Sequence, residues 1–355
     1  MAESSDTGSA IGALGLVFLA IVGFAVLDTF LARMEHNENR AKADRLTAAG
    51  LDLMRQGKPV EAVEQFKAAI GVDRENTAVW LDLGQAQLAA GALAEAETTL
   101  GELLRRDSTS GEANLTLARV LAKEGRVPEA ISTYHRSIYG RWSGNAEARR
   151  VAVRLELVEI LAQHGSKEEL LAELLPLLDV APDDREERRH LAILFLKAGS
   201  GQRAGELFRD ILKHHPQDAD AYDGLGQAEF LRGNYQTALI DFEDASNVRP
   251  LDKEISAHLR LCSEVLALDP MRRGIGPEEQ VRRSSKMLEM ASAAAARCGV
   301  AVPETKPKRG ARPSEAMDEN LRLAEELWKA REQQCGQPPS AEEEPLRLVL
   351  ARIAQ

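Results

Sequence analysis

The sequence predicts an all-α protein: one apolar spanning helix, then an α-solenoid of six helix pairs with a capping helix, then further C-terminal helices. Three observations carry this reading. Hydrophobic residues make up 44% of the chain, yet Ala and Leu dominate them and only 4% of residues are aromatic, a make-up of helices rather than sheets. Residues 11–31 form an apolar run broken only by Asp28, and from residue 43 onward a pattern of small and bulky residues returns every 34 positions, which is the signature of a repeat architecture. The length of 355 residues allows two domains or one extended array. A net charge of −11 excludes a nucleic-acid binder that works by releasing counterions from phosphate.

The leader 1–10 is polar and acidic, and the run IGALGLVFLAIVGFAVLDTFL over 11–31 follows it. At 1.5 Å per residue such a helix is about 31 Å long, enough to cross a bilayer core. A cleaved secretory signal would carry Lys or Arg before a shorter apolar stretch; none stands in residues 1–10, so the run reads as an uncleaved single-pass anchor. Arg33, Arg40, Lys42 and Arg45 follow the span, and basic residues favour the cytoplasmic side. The bulk of the chain is therefore expected in the cytoplasm, with an extracytoplasmic array as the alternative, and residues 32–42 as a juxtamembrane linker.

The array runs over 43–268. Copies start near 43, 77, 111, 151, 185 and 219, with one six-residue insertion at 145–150. Position 8 holds Gly50, Gly84, Ala118, Val158, Ala192 and Gly226; position 20 holds Ala62, Ala96, Ala130, Leu170, Ala204 and Ala238. Position 24 is Phe66, Leu100, Tyr134, Leu174, Phe208 and Phe242, and a glycine recurs at position 15, from Gly57 to Gly233. Small residues let two helices approach, a turn glycine accepts φ > 0, and the bulky residue fills the seam between helices. Pro182, Pro216 and Pro250 end the second helix in the last three copies, whereas Arg74, Ser108 and Trp142 depart from that pattern, and the fourth copy is weak at Arg154, Val158 and Leu170. Lys253–Leu268, apolar at Ile255, Leu259, Cys262, Val265 and Leu266, follows as a capping helix.

Residues 43–268 resemble the tetratricopeptide repeat family on these positions. The resemblance implies a protein-binding scaffold, with the first helix of each repeat lining a concave groove that holds an extended or helical peptide. The groove positions carry Leu51, Met54, Leu81, Gln85, Leu88 and Leu115, then Arg119, Glu159, Arg189, Asp223 and Gln227. The leucines either complete the core or seat the apolar side of a partner segment. A subclass of the family grips a C-terminal carboxylate with Lys, Asn and Arg; the first two repeats here place Asp44, Thr47, Ala78 and Leu81 at such positions, so no clamp is expected.

The insertion brings Tyr139 and Trp142 beside glycines where the repeat phase slips. These aromatics either plug the seam between the third and fourth repeats or contact a partner. No catalytic constellation stands out. Gly57-Lys58 has the wrong spacing for a phosphate loop, the seven histidines form no HExxH, and no GxSxG occurs. Neither enzyme activity, cofactor, metal nor small-molecule substrate is expected.

After Pro270 the period is lost. Residues 269–355 read as helices over 277–298, 314–334 and 345–353, with Ser314 as an N-cap and a basic linker at 299–313. Ten Lys or Arg stand against four Glu between Met271 and Arg312, which suits an exposed linker, anionic lipid or an acidic partner. Cys262, Cys298 and Cys335 form no CxxC, so no four-thiolate zinc site can be built. The one bridge left open is Cys298 to Cys335, and it needs an oxidising compartment. A reactive thiol at either residue is the remaining alternative of a different class.

Overall fold

The structure, a computed structural model, describes residues 6–180, 184–303 and 312–354, and within the first helix the side chains of residues 27, 29–31 and 33–55. The regular structure is helical throughout: sixteen α-helices and no strand among the described residues. The chain divides into two compact units, Met1–His164 and Gly165–Gln355.

The first unit holds α1 (Asp6–Arg55), α2 (Pro59–Val72), α3 (Thr77–Ala90), α4 (Leu93–Arg106), α5 (Gly111–Lys123), α6 (Val127–Ile138) and α7 (Ala146–His164). Each helix packs on the next, and α3 also touches α1 and α5, so α1, α3 and α5 form one row. The expected span, residues 11–31, lies in α1, and most of its side chains fall outside the described residues. Among the described residues no helix is long and apolar enough to cross a membrane. Residues 32–42 are helical and continue α1 without a break.

Close approach within a pair follows from the small residues. Gly50 lies against the Phe66 ring and Gly84 against Leu100, and both bulky partners are fully buried. Gly57, Gly91 and Gly125 leave their helices with φ between 73° and 78°, the left-handed conformation that glycine adopts without a Cβ clash. The insertion folds back on the third pair. Arg141 N donates to Thr109 O at 2.7 Å and Gly111 N to Arg141 O at 2.8 Å, and the Trp142 indole packs on Gly111 while its Nε1 donates to Ser137 O at 2.9 Å.

The second unit holds α8 (Lys167–Leu174), running into a 3-10 turn (Leu175–Val180), then α9 (Arg185–Lys197), α10 (Gly201–His214), α11 (Ala219–Leu231), α12 (Tyr235–Val248), α13 (Lys253–Leu268), α14 (Pro277–Arg297), α15 (Pro313–Cys335) and α16 (Glu344–Ile353). Side chains of Asp184, Asp218 and Asp252 accept hydrogen bonds from the first backbone N–H groups of α9, α11 and α13, satisfying donors that a helix start leaves unpaired. The weak fourth copy differs from its neighbours. Its second helix, α8, spans only eight residues, and it starts from Ser166, whose side chain and that of Glu169 form a capping box. Pro182 lies outside the described residues.

One apolar core joins α12, α13, α14, α15 and α16 through Phe242, Cys262, Val265, Met287, Ala291, Ala324, Trp328, Leu346 and Val349. The α15 N-cap is Arg312 rather than the expected Ser314, because Pro313, with its fixed φ and missing N–H, suits the first helical position.

Candidate functional site

Within the second unit, the first helices α9, α11 and α13 form a row, and α16 lies along its end against α13 and α14. Between them is a cavity of about 540 Å³. Its apolar lining is Leu196 of α9, Phe230 and Leu231 of α11, Tyr235 and Phe242 of α12, Leu261 of α13, and Leu348 and Ala351 of α16. Polar groups on it are Gln227, Arg232, His258, Glu344, Arg347 and Arg352. A concave, mainly apolar lining with a few oriented polar groups is how binding sites are generally built.

His258 is one of these polar groups. Its Nδ1 is 2.8 Å from Asp223 Oδ1, and Gln227 Nε2 donates to the other oxygen of Asp223 at 2.7 Å. The hydrogen bond with Asp223 favours the charged imidazolium and raises the His258 pKa above the ordinary histidine value. With Nδ1 held by Asp223, the imidazolium's Nε2–H is the remaining donor of the ring. The imidazole also lies 5.6 Å from the Phe242 ring centroid. The arginines are each tied to an acid: Arg352 pairs with the buried Asp269, Arg232 with the buried Glu229 at 3.0 Å, and Arg347 with Glu344 at 2.5 Å. Arg352 further lies over the Tyr235 ring, 5.7 Å from its centroid. The cavity therefore offers donors beside an apolar lining, with each arginine paired to an acid.

Two of the expected groove residues belong to this site: Gln227 lines it and Asp223 orients His258. Arg189 lies elsewhere on the row, bonded to Asp220 at 2.7 Å and to Glu186.

The first unit carries its own share of the expected groove. Leu51 and Met54 line an open hollow at the end of α1 with Ala48 and Arg55. Leu81 and Gln85 line a second, of about 350 Å³, with Thr77, Asp107, Glu112, Ser143 and Arg149 among its other residues. Leu81 and Leu88 both pack, half-buried, against the cluster of Ala96, Leu100 and Val120, and Leu115 and Glu159 are half-buried. Arg119 crosses from α5 to Glu156 of α7 at 2.9 and 2.5 Å, and Tyr134 Oη donates to the same carboxylate at 3.3 Å. Burial, with Glu156 beside it, pushes the Tyr134 phenol well above its ordinary value.

The two aromatics of the insertion separate. Trp142 is held by its own chain, between Gly111 and the Arg149 guanidinium 5.6 Å from the ring centroid, whereas Tyr139 is 74% exposed. Cys298 and Cys335 are joined in a disulfide, Cα to Cα 5.3 Å, so neither is a free thiol. Cys262 is fully buried, its Sγ donates to Tyr235 O at 3.2 Å, and burial pushes the thiol up to about 12; a buried, protonated thiol is a poor nucleophile. No group of three or more His, Cys, Asp or Glu that could hold a metal occurs among the described residues.

The residues missed by sequence reasoning are those of the last repeat and of α16: Phe230, Leu231, His258, Leu261, Leu348 and Ala351. His258 was within reach. It follows Asp223 by 35 residues, about one repeat, so carrying the repeat alignment into the capping helix places the pair on adjacent first helices. Nothing local to residues 344–353 says which surface that amphipathic helix covers.

Models of the tetratricopeptide repeat match residues 53–110, and 94–146 with 189–247. Among curated proteins, Superkiller complex protein 3 of Mus musculus is 28% identical over 163 residues, which is 42% of this chain and 10% of that protein. The human mitochondrial import receptor subunit TOM70 is 23% identical over 243 residues, 66% of this chain and 39% of that protein. The chain thus spans about a tenth of the length of the first of these relatives and well under half of the second. Among solved structures, a tetratricopeptide repeat protein from Parabacteroides merdae is similar at 18% identity and a TM-score of 0.42, over 82% of this chain and 99% of that one. YrrB, described as a tetratricopeptide repeat protein with an unusual peptide-binding site, is similar at 19% identity and a TM-score of 0.45, over 56% of this chain and 98% of that one. The helix pairs of the fold agree with the matched family models: over residues 53–146 and 189–247 this chain is similar to tetratricopeptide repeats.

Proposed function

We propose that the chain is a membrane-anchored scaffold that holds a segment of a protein partner against the first helices of its repeats, with the cavity between α9, α11, α13 and α16 as its principal seat. The single observation that carries this is the cavity itself, an apolar floor of Phe230, Leu231, Leu261 and Leu348 with His258 oriented above it. Such a site takes an apolar side chain and an acceptor together, which is how an amphipathic segment presents itself. The anchor is the apolar run 11–31. Tyr139, exposed on the other unit, serves as a second contact, together with Leu51, Met54, Leu81 and Gln85.

A photo-crosslinking side chain placed at Leu261, and separately at the exposed Gln236 of α12, tests the seat in cells. One partner captured from position 261 and absent from 236 is the expected result. Equal capture from both positions, or none from 261, refutes the seat.

The charge count beside the anchor favours a cytoplasmic array. The Cys298–Cys335 bridge favours a second reading, the same scaffold on the oxidising side of the membrane and engaged in envelope assembly. Membrane-impermeant maleimide on intact cells, with and without reductant, separates them. Labelling only after permeabilisation supports the cytoplasmic reading, and labelling of intact cells that requires reductant supports the second.

A further inference from the structure

The disulfide sits at the point from which one wall of the cavity is suspended. Cys298 caps α14 and Cys335 ends α15. One residue before the first cysteine, Arg297 donates to Glu343 at 2.6 Å. One turn before the second, Arg331 donates to the other oxygen of Glu343 at 2.9 Å, and to the carbonyls of Gln337 at 2.8 Å and Pro338 at 3.2 Å. Glu343 is buried and is the N-cap of α16. The two helix ends joined by the bridge therefore hold, through a single carboxylate, the residue from which α16 departs to give Leu348, Ala351 and Arg352 to the cavity.

We propose that Cys298–Cys335 is a redox latch on this cavity: reduction lets the ends of α14 and α15 part, releases Glu343, and frees α16 to move out of the wall. The reductant is a dithiol. It supplies two electrons and two protons, the S–S bond breaks to leave a thiol on each of Cys298 and Cys335, and the dithiol closes to its own disulfide. Both cysteines are partly exposed, so a dithiol reaches the bridge.

Two features confine the response to α16. The α14–α15 contact is independently apolar, through Met287, Ala291, Ala324 and Leu327, so the pair stays together without the bridge. The ten-residue α16 buries only Pro345, Leu346, Val349 and Leu350, and its far end holds by Arg352 to Asp269. A helix this short is marginal without its tertiary contacts and opens more readily than the core beneath it. The bridge joins residues 37 apart in sequence, and its loss removes a constraint that acts on the less ordered chain, which favours states in which the ends of α14 and α15 are apart. The consequence for binding rests on the reading that the cavity is the partner's seat; the opening of α16 does not.

Hydrogen exchange on the full chain in detergent, oxidised and then treated with dithiothreitol, reads the latch without any partner. The expected result is that amides 346–353 exchange at least about tenfold faster on reduction while those of α11–α13 stay within about twofold. The oxidised Glu343→Gln variant, with the bridge intact and one charge-assisted anchor removed, shows the same local pattern. Amides of α16 that stay within about twofold after reduction overturn the proposal, and so does a loss of protection shared equally by α13 and α16, which marks a bridge that holds the whole unit. A chain whose α16 opens but which captures no partner from position 261 refutes the binding reading and leaves the latch standing.

Discussion

Gly226→Ala is the sharpest perturbation of the repeat packing, because the same substitution one helix earlier has the opposite expected sign. Gly226 lies inside α11, and a Cβ there stands 2.6 Å from Phe242 Cδ1 and Cε1 and 3.0 Å from Cζ. Carbon atoms in contact sit at about 3.5–4.0 Å, so the ring must retreat by about 1 Å. Phe242 is 2% exposed and walled by Tyr235, Ala238 and Cys262, and a close-packed interior yields little. Overpacking of this kind costs about 1–3 kcal/mol, against a gain of about 1 kcal/mol when alanine replaces glycine in a helix. The net expectation is a loss of about 0–2 kcal/mol by those two terms. Gly205→Ala supplies the control in the same unit. Gly205 is also mid-helix, but its Cβ would meet Ala228 Cβ at 3.6 Å and the Arg209 guanidinium at 3.5 Å, ordinary contact distances, so the helix gain of about 1 kcal/mol remains. Denaturant melts of the full chain and both variants, followed by hydrogen exchange of α11 and α12, measure the two changes. If Gly226→Ala is stabilised as much as Gly205→Ala, the argument that position 8 must be small to admit the ring at position 24 is wrong.

Three further outcomes follow from particular residues. Leu251 is a leucine with φ 72° and is 95% exposed, so Leu251→Asn loses no packing, relieves a conformation that costs an ordinary side chain about 1–2 kcal/mol, and raises the melting temperature of the second unit. Asp241 is half-buried with an oxygen lacking a hydrogen-bond partner, and burial, with Glu229 and Asp244 nearby, pushes it up to about 6. Its folded value stands above the unfolded one, so its contribution is present at low pH and is lost as pH rises toward 6; Asp241→Asn is expected to stabilise the chain at pH 7.5 and to change little at pH 4, checked by melts at both values. His258, raised by Asp223, contributes stability that is complete below the unfolded histidine value and is lost as pH rises through the folded one. An imidazole titration by NMR should place its midpoint above that of the same group in Asp223→Asn, and equal midpoints would remove Asp223 as the orienting partner.

How far the sequence could be read differs from element to element. The 34-residue period needed no tertiary information, since each copy solves the same local problem: two helices approach across a small residue, a bulky one fills the seam, and a glycine turns the chain. Hence Gly84 meets Leu100 and Gly226 meets Phe242. The fourth copy resisted reading because Leu170 stands where the others have alanine, and there the second helix shortens to Lys167–Leu174. The insertion was legible only as a choice between seam and surface. In the folded chain the Trp142 N–H has a carbonyl partner while Tyr139 is exposed to solvent.

Composition and periodicity alone thus determined that this chain is helical and which small and bulky residues meet inside a pair, because those properties are set by neighbours in sequence and one repeat away. Which groups meet at the cavity was decided only by the tertiary structure. The approach of α16 to α13, the Arg352–Asp269 pair 83 residues apart and the grip of Arg297 and Arg331 on Glu343 join segments with no common period. An amphipathic helix specifies that it must cover an apolar surface, and only the packed molecule specifies which one.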